Sequence, residues 1–190
     1  MAMSWEELQA ALDGCTRCGL CRGRKNVVMG EGNPQAEVMF IGEGPGQVED
    51  ETGRPFVGPA GQLLDRMLAS IGLDRTQVYI ANIVKCRPPG NRNPEPEEAQ
   101  ACLDYLRAQV ALVRPKIIVL LGKVACSYTL SQSVFITRDH GKWFRQKGVW
   151  FMPTFHPSAL LRDPDKKREA WEDLKKLKEK ISELEHENGE

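Results

Sequence analysis

Two sets of side chains in this 190-residue sequence have the types and spacing to do chemistry. The first is a set of thiols. Cys15 and Cys18 form a C-x2-C pair, Cys21 extends it to C-x2-C-x2-C, Cys86 follows an apolar run, and Cys102 stands further along on an apolar helix face. Four thiolates from two chain regions close a tetrahedral zinc site or hold an iron–sulfur cluster, and spacing alone leaves open which cysteines ligate. Cys126, close to Ala125 and Tyr128, reads as a small core hydrophobe. The second set lies where apolar runs end: the loop from Gly42 to Gly61, Asn82, and His156. An imidazole stabilises a developing anion, an Asn amide offers donor and acceptor to a base edge, and Phe56 in the loop can stack on a ring. Each also has a plain structural reading, as a turn cap, a core filler or a carbonyl partner. Their convergence at strand ends is what favours chemistry.

The elements that position these residues are readable as well. The loop carries six glycines and three prolines, which make it rigid yet open to close backbone approach. It follows the apolar run Val38 to Ile41, expected as a buried strand, and precedes a helix expected from about Gly61 to Ile71. Val78 to Val84 reads as a second strand running into Lys85-Cys86-Arg87-Pro88-Pro89-Gly90-Asn91-Arg92-Asn93. Pro94 with Glu95, Glu97 and Glu98 opens a helix to about Val113, whose apolar face holds Cys102, Leu103, Leu106 and Val110. Lys116 to Gly122 is a third strand, with a short helix from Lys123 to Leu130, and Val149 to Phe155 is a fourth, delivering His156. At the start, Ser4-Trp5-Glu6-Glu7 is a capping-box pattern for a helix that leads to Cys15. A charged helix from about 165 to 187 places Trp171, Leu174, Leu177, Ile181 and Leu184 on one docking stripe. Alternating strands and helices predict an α/β fold with a mostly parallel sheet, and such sheets bind ligands at the carboxyl ends of their strands.

Bulk properties set bounds. Twenty-six basic and twenty-six acidic residues give a formal net charge of zero, so any nucleic-acid contact must come from a local basic patch. No stretch is long and apolar enough to span a bilayer, and no secretory signal pattern opens the chain, so a cytoplasmic location without membrane association is expected. Reduced cysteines in that compartment argue for metal or cluster ligation over disulfides. One domain is expected over residues 1–190, with the cysteine-bearing segment at about 1–25.

Four motifs together carry a family resemblance: Gly42-Glu43-Gly44-Pro45-Gly46 with Glu49-Asp50; Thr52-Gly53-Arg54-Pro55-Phe56-Val57-Gly58; Asn82-Ile83-Val84-Lys85-Cys86-Arg87-Pro88-Pro89; and His156-Pro157-Ser158-Ala159-Leu160-Leu161-Arg162. In order and content they resemble the family 4 uracil-DNA glycosylases, the iron–sulfur class, over roughly residues 15 to 162. The resemblance implies a three-layer α/β/α sandwich around a four-stranded, mostly parallel sheet, and a [4Fe–4S] cluster on Cys15, Cys18, Cys86 and Cys102, with Cys21 left out. It further implies a uracil pocket of Glu43, Gly44, Glu49, Phe56, Asn82 and His156, acting on uracil in single- or double-stranded DNA as a monomer. Phe56 would stack on the flipped base, Asn82 would pair with its polar edge, and His156 would donate to O2 as the glycosidic bond breaks. DNA contacts are expected from Lys85, Arg87, Arg92 and Ser158, with Leu160, Leu161 or Arg162 filling the vacated position in the duplex.

One departure bears on mechanism. The best-known uracil glycosylases carry Asp where this loop has Gly44 and a thymine-rejecting Tyr where it has Gly46. Glu43 or Glu49 is then left to orient the attacking water. Two rival classes remain open at this level. A nucleotide-phosphate binder would explain the Gly-rich loop, but the G-x-G-x-x-G and Gly-Lys-Ser/Thr spacings are missing. A non-catalytic cluster protein would explain the cysteines while leaving His156 idle.

Overall fold

The computed structural model describes residues 2–189. Its centre is a sheet of β1 (Glu31–Gly32), β2 (Val38–Gly42), β3 (Tyr79–Asn82), β4 (Ile117–Leu121), β5 (Phe144–Gln146) and β6 (Val149–Thr154), in the spatial order β1-β3-β2-β4-β6-β5. The four inner strands are parallel and correspond to the four apolar runs of the sequence. Every residue of β2, β3 and β4 is buried, which is why these strands read as unbroken apolar runs rather than as alternations. The expectation of four strands is corrected to six. The two additions are antiparallel edge strands of two and three residues, too short and too polar to leave a periodic signal.

Successive side chains of the inner strands point to opposite faces and build two cores. Met39, Ile41, Ile118 and Leu120 pack with Leu8 and Leu12 of α1 (Trp5–Asp13), Leu103 and Leu106 of α4 (Pro96–Val113), and Ala125 and Cys126 of α5 (Lys123–Thr129). Val38, Phe40, Ile117 and Val119 pack with Leu63, Leu64, Met67 and Leu68 of α3 (Pro59–Ser70), Leu160 of α7 (Pro157–Arg162), and Leu174 and Leu177 of α8 (Lys167–Asn188). The result is helices on both faces of the sheet. Helix α1 starts as its sequence predicts: the Ser4 hydroxyl accepts from Glu7 N–H at 3.1 Å, and the Glu7 carboxylate accepts from Ser4 N–H at 2.9 Å. Two short helices, α2 (Gln47–Thr52) and α6 (Ile136–Asp139), complete the set. Helix α8 is locked by a buried carboxylate: Asp173 accepts from the Thr154 hydroxyl at 2.7 Å and faces His140 Nδ1 at 2.9 Å. No helix among the described residues is long and apolar enough to cross a membrane.

Strand β2 lies between β3 and β4, so the chain leaves it first to one side and then crosses to the other. Connections diverge at that switch point and open a crevice at the carboxyl ends of the parallel strands. Asn82, His156 and the loop after Gly42 all border it.

Candidate active site

The crevice has a volume of about 550 Å³ and is lined by Glu43, Gly44, Glu49, Phe56, Asn82 and His156, which the sequence places in one pocket, together with Pro88, Asn91, Arg92, Asn93, Ser158, Leu161 and Arg162. Its polar groups are set by local structure. His156 is the N-cap of α7, with Pro157 at the first helical position, and its Nδ1 accepts from Ser158 N–H at 3.1 Å while lying 2.7 Å from the Ser158 hydroxyl. A nitrogen that accepts from a backbone N–H carries no proton, so the ring is the neutral tautomer with hydrogen on Nε2. Burial, aided by the nearby Arg162 charge, pushes its pKa down to about 4, so the ring stays neutral at physiological pH. His156 therefore offers the crevice one neutral N–H donor.

Asn82 ends β3 and is 2% exposed, and its Oδ1 has no hydrogen-bond partner among the described residues. A buried amide oxygen left unpaired costs about 1–3 kcal/mol, a cost a bound donor removes. Gly42 is what lets this group and Phe56 approach the strand end. A Cβ there would stand 2.5 Å from Phe56 Cζ and 2.6 Å from Asn82 Oδ1. The Phe56 ring lies 5.5 Å from the His156 ring at an interplanar angle of 32°.

The two loop carboxylates have different surroundings. Glu49 is saturated by backbone: it accepts from Gly46 N–H at 3.0 Å, Val57 N–H at 3.1 Å and Gly58 N–H at 2.6 Å, stapling both ends of the loop together. Glu43 faces the crevice, and burial raises its pKa above the ordinary 4.5 against a smaller downward pull from Arg162.

Two residues read from the sequence as DNA contacts do not reach the surface. Lys85 is 1% exposed, and its ammonium donates to the Asn82 carbonyl at 2.7 Å, where it braces the end of β3 from inside. Leu160 is fully buried on the inner face of α7, whereas Leu161 is 41% exposed and lines the crevice. Arg162 and Ser158 line the same rim. Arg92 is held by Glu98 in a two-bond ion pair at 2.7 and 3.0 Å, and Arg87 donates to Asn91 at 2.7 Å.

On the other face of the sheet, Cys15, Cys18, Cys21, Cys86 and Cys102 line one pocket with Leu12, Leu20, Val27 and Val84, and Arg24 reaches into it, donating to the Cys15 carbonyl at 2.6 Å and lying 3.5 Å from Cys86 Sγ. Among the described residues no three His, Cys, Asp or Glu side chains are drawn together tightly enough to hold a single metal ion. Five thiols are nonetheless gathered there beside the Arg24 cation, and a set of thiolates is the chemistry that suits an iron–sulfur cluster. Burial pushes the Cys86 thiol up to about 11 and raises Cys18 and Cys102 as well, so a metal entering there must expel their protons. The pocket also touches the crevice loop indirectly: buried Asp50 of α2 accepts from Lys25 N–H at 2.8 Å and Asn26 N–H at 3.3 Å, just past the cysteine segment.

Some residues that shape the site carry no signal in the sequence. Asn26 and Arg75 bind backbone groups far along the chain, Glu31 holds Arg75, and no local pattern marks them.

A mostly parallel sheet with this crevice, lined by a neutral imidazole and an unpaired amide, defines a class that comparison makes specific. The chain belongs to the uracil DNA glycosylase superfamily, whose family model matches residues 29–175. Within it, the chain is similar to proteins named Type-4 uracil-DNA glycosylase: 49% identical over 170 residues to that of Thermotoga maritima, covering 86% of this chain and 88% of the relative. That of Archaeoglobus fulgidus is 42% identical over 184 residues, covering 93% and 92%. A Type-5 uracil-DNA glycosylase of Pyrobaculum aerophilum is more distant, at 34% over 146 residues, covering 68% and 64%.

Proposed function

We propose that this protein is a DNA-repair glycosylase that flips uracil out of DNA, hydrolyses its N-glycosidic bond and leaves an abasic site. The observation that carries this reading is the presence in one crevice of an unpartnered buried amide oxygen on Asn82 and a neutral His156 whose Nδ1 is occupied by Ser158, leaving Nε2–H as its donor. Uracil inside a duplex is out of reach and must be extruded. Once in the crevice, it stacks on Phe56, its N3–H satisfies Asn82 Oδ1, and its O2 accepts from His156. Negative charge grows on O2 as the bond to the sugar breaks, so this last bond strengthens toward the transition state. Glu43 is the carboxylate free to orient water toward the sugar, whereas Glu49 shapes the loop. Leu161 occupies the emptied stack, and Arg162 meets phosphate beside it. The decisive test is release of free uracil from a uracil-containing oligonucleotide: a protein that binds such DNA without releasing uracil is not this enzyme.

Cys15, Cys18, Cys86 and Cys102 would hold a [4Fe–4S] cluster, whose contribution when bound is to tie the amino-terminal segment to the chain after β3. The protein purified under anaerobic conditions is therefore expected to be brown and to contain about four irons per chain. Cys102→Ser abolishes the colour, and Cys126→Ser, on α5 with its thiol fully buried in the apolar core, leaves it intact. Iron analysis and the visible absorption spectrum check this. One tightly held zinc in a colourless protein would refute it.

A further inference from the structure

Phe56 adopts a left-handed backbone conformation, φ +50°, that a residue with a bulky side chain rarely takes. Such a conformation persists only where the surroundings impose it. Here they do so from two sides. Glu49 holds the N–H groups of Val57 and Gly58, as described above. From the other side Arg75, in the turn after α3, donates one guanidinium nitrogen to the Phe56 carbonyl at 2.6 Å and the other to the Pro55 carbonyl.

Arg75 is itself fixed. Its side chain is 18% exposed, it pairs with Glu31 of β1 at 2.9 Å and with Asp65 at 3.2 Å, and its buried Nε has no partner among the described residues. Glu31 also takes two bonds from Arg54, at 3.0 and 2.8 Å. Gly61 completes the arrangement, because a Cβ there would overlap the Phe56 carbonyl. A half-buried guanidinium with one orphaned nitrogen is a poor stabiliser of a fold by itself. It is a good device for fixing two adjacent carbonyls in one plane, since its donors form a rigid fork.

We propose that Arg75, anchored by Glu31, is a positioning residue for base excision: by holding the Pro55 and Phe56 carbonyls it sets the plane of the Phe56 ring on which the extruded base stacks. This inference rests on the uracil reading of the crevice. It also gives the two-residue strand β1 a task, because β1 is what brings Glu31 to Arg75.

The test is a double-mutant cycle between Arg75→Met and Phe56→Ala, read by single-turnover excision, by inhibition with free uracil, and by affinity for abasic-site DNA. Arg75→Met is expected to slow excision between about 10- and 100-fold, the cost of misplacing a group near the reacting bond, and to weaken uracil inhibition in parallel. Affinity for abasic DNA, which puts no base on the ring, stays at the wild-type value. In the Phe56→Ala background the same substitution adds no more than about twofold. Equal losses in both backgrounds, an unchanged rate, or a matching fall in abasic-DNA affinity would overturn the proposal. Should Arg75→Met fail to fold, Glu31→Gln replaces it in the same cycle, with a smaller loss and the same non-additivity expected. If the wild type releases no uracil, the functional reading fails; if it does and the cycle is additive, only the positioning role fails.

Discussion

Replacing His156 by alanine is expected to lower single-turnover excision by on the order of 10²–10³, the usual cost of removing one donor aimed at a developing oxyanion. Affinity for uracil-containing DNA should change far less, because the bond proposed from Nε2–H gains strength only as charge accumulates on the leaving base. The pH profile supplies a second check. With the ring held neutral down to about 4 by burial and Arg162, the part of the rate that depends on His156 should not bend anywhere near its ordinary 6.5. A bend in that region that vanishes in the alanine variant would show that the imidazolium is the working form. A wild-type rate for His156→Ala would remove the assignment altogether and return attention to Glu43.

Asn82→Ala should differ in kind. In the proposed reading its amide pairs with the edge of the base, so its loss is expected to damage selectivity as well as rate. Cytosine presents an amino donor and an unprotonated N3 where uracil presents an acceptor and an N–H, which reverses the pattern Asn82 can satisfy. A site built around buried hydrogen bonds rejects a mismatched analogue by about 10⁴–10⁵. Most of that ratio should collapse in Asn82→Ala, measured as excision of uracil against cytosine from otherwise identical strands. Retained selectivity would place the reading of the base elsewhere in the crevice.

The parallel centre of the sheet is legible in the sequence because strands buried on both faces must be apolar throughout, and Asn82 and His156 stand out as polar residues ending such runs. What escapes is what depends on direction or on distance along the chain. Leu160 and Leu161 look alike as neighbours in an apolar pair; only once α7 is known to be helical does its turn send one inward and the other to the rim. Lys85 looks like a surface cation because lysines seldom lie buried, and its partner is a carbonyl only three residues back. Glu49 looks like a base, but its oxygens are taken by N–H groups that only the folded loop gathers. The edge strands β1 and β5 give no periodicity in two and three residues.

The thiol-lined pocket and the crevice draw on different cores. Cys86 and Cys102 pack with the residues on one side of the sheet, and Phe56, Phe155 and Leu160 with those on the other. Packing changes far apart and without shared partners add, while those within one core couple. The two sides nonetheless share residues: Lys85 lines the thiol pocket and braces the Asn82 carbonyl, and Glu98 of that pocket holds Arg92 of the crevice, so a substitution that loosens the cysteine side should not combine with one at Asn82 as a simple sum. Drift in sequence on the cysteine side is therefore free only where it spares residues such as Lys85 and Glu98, through which it would reach the crevice.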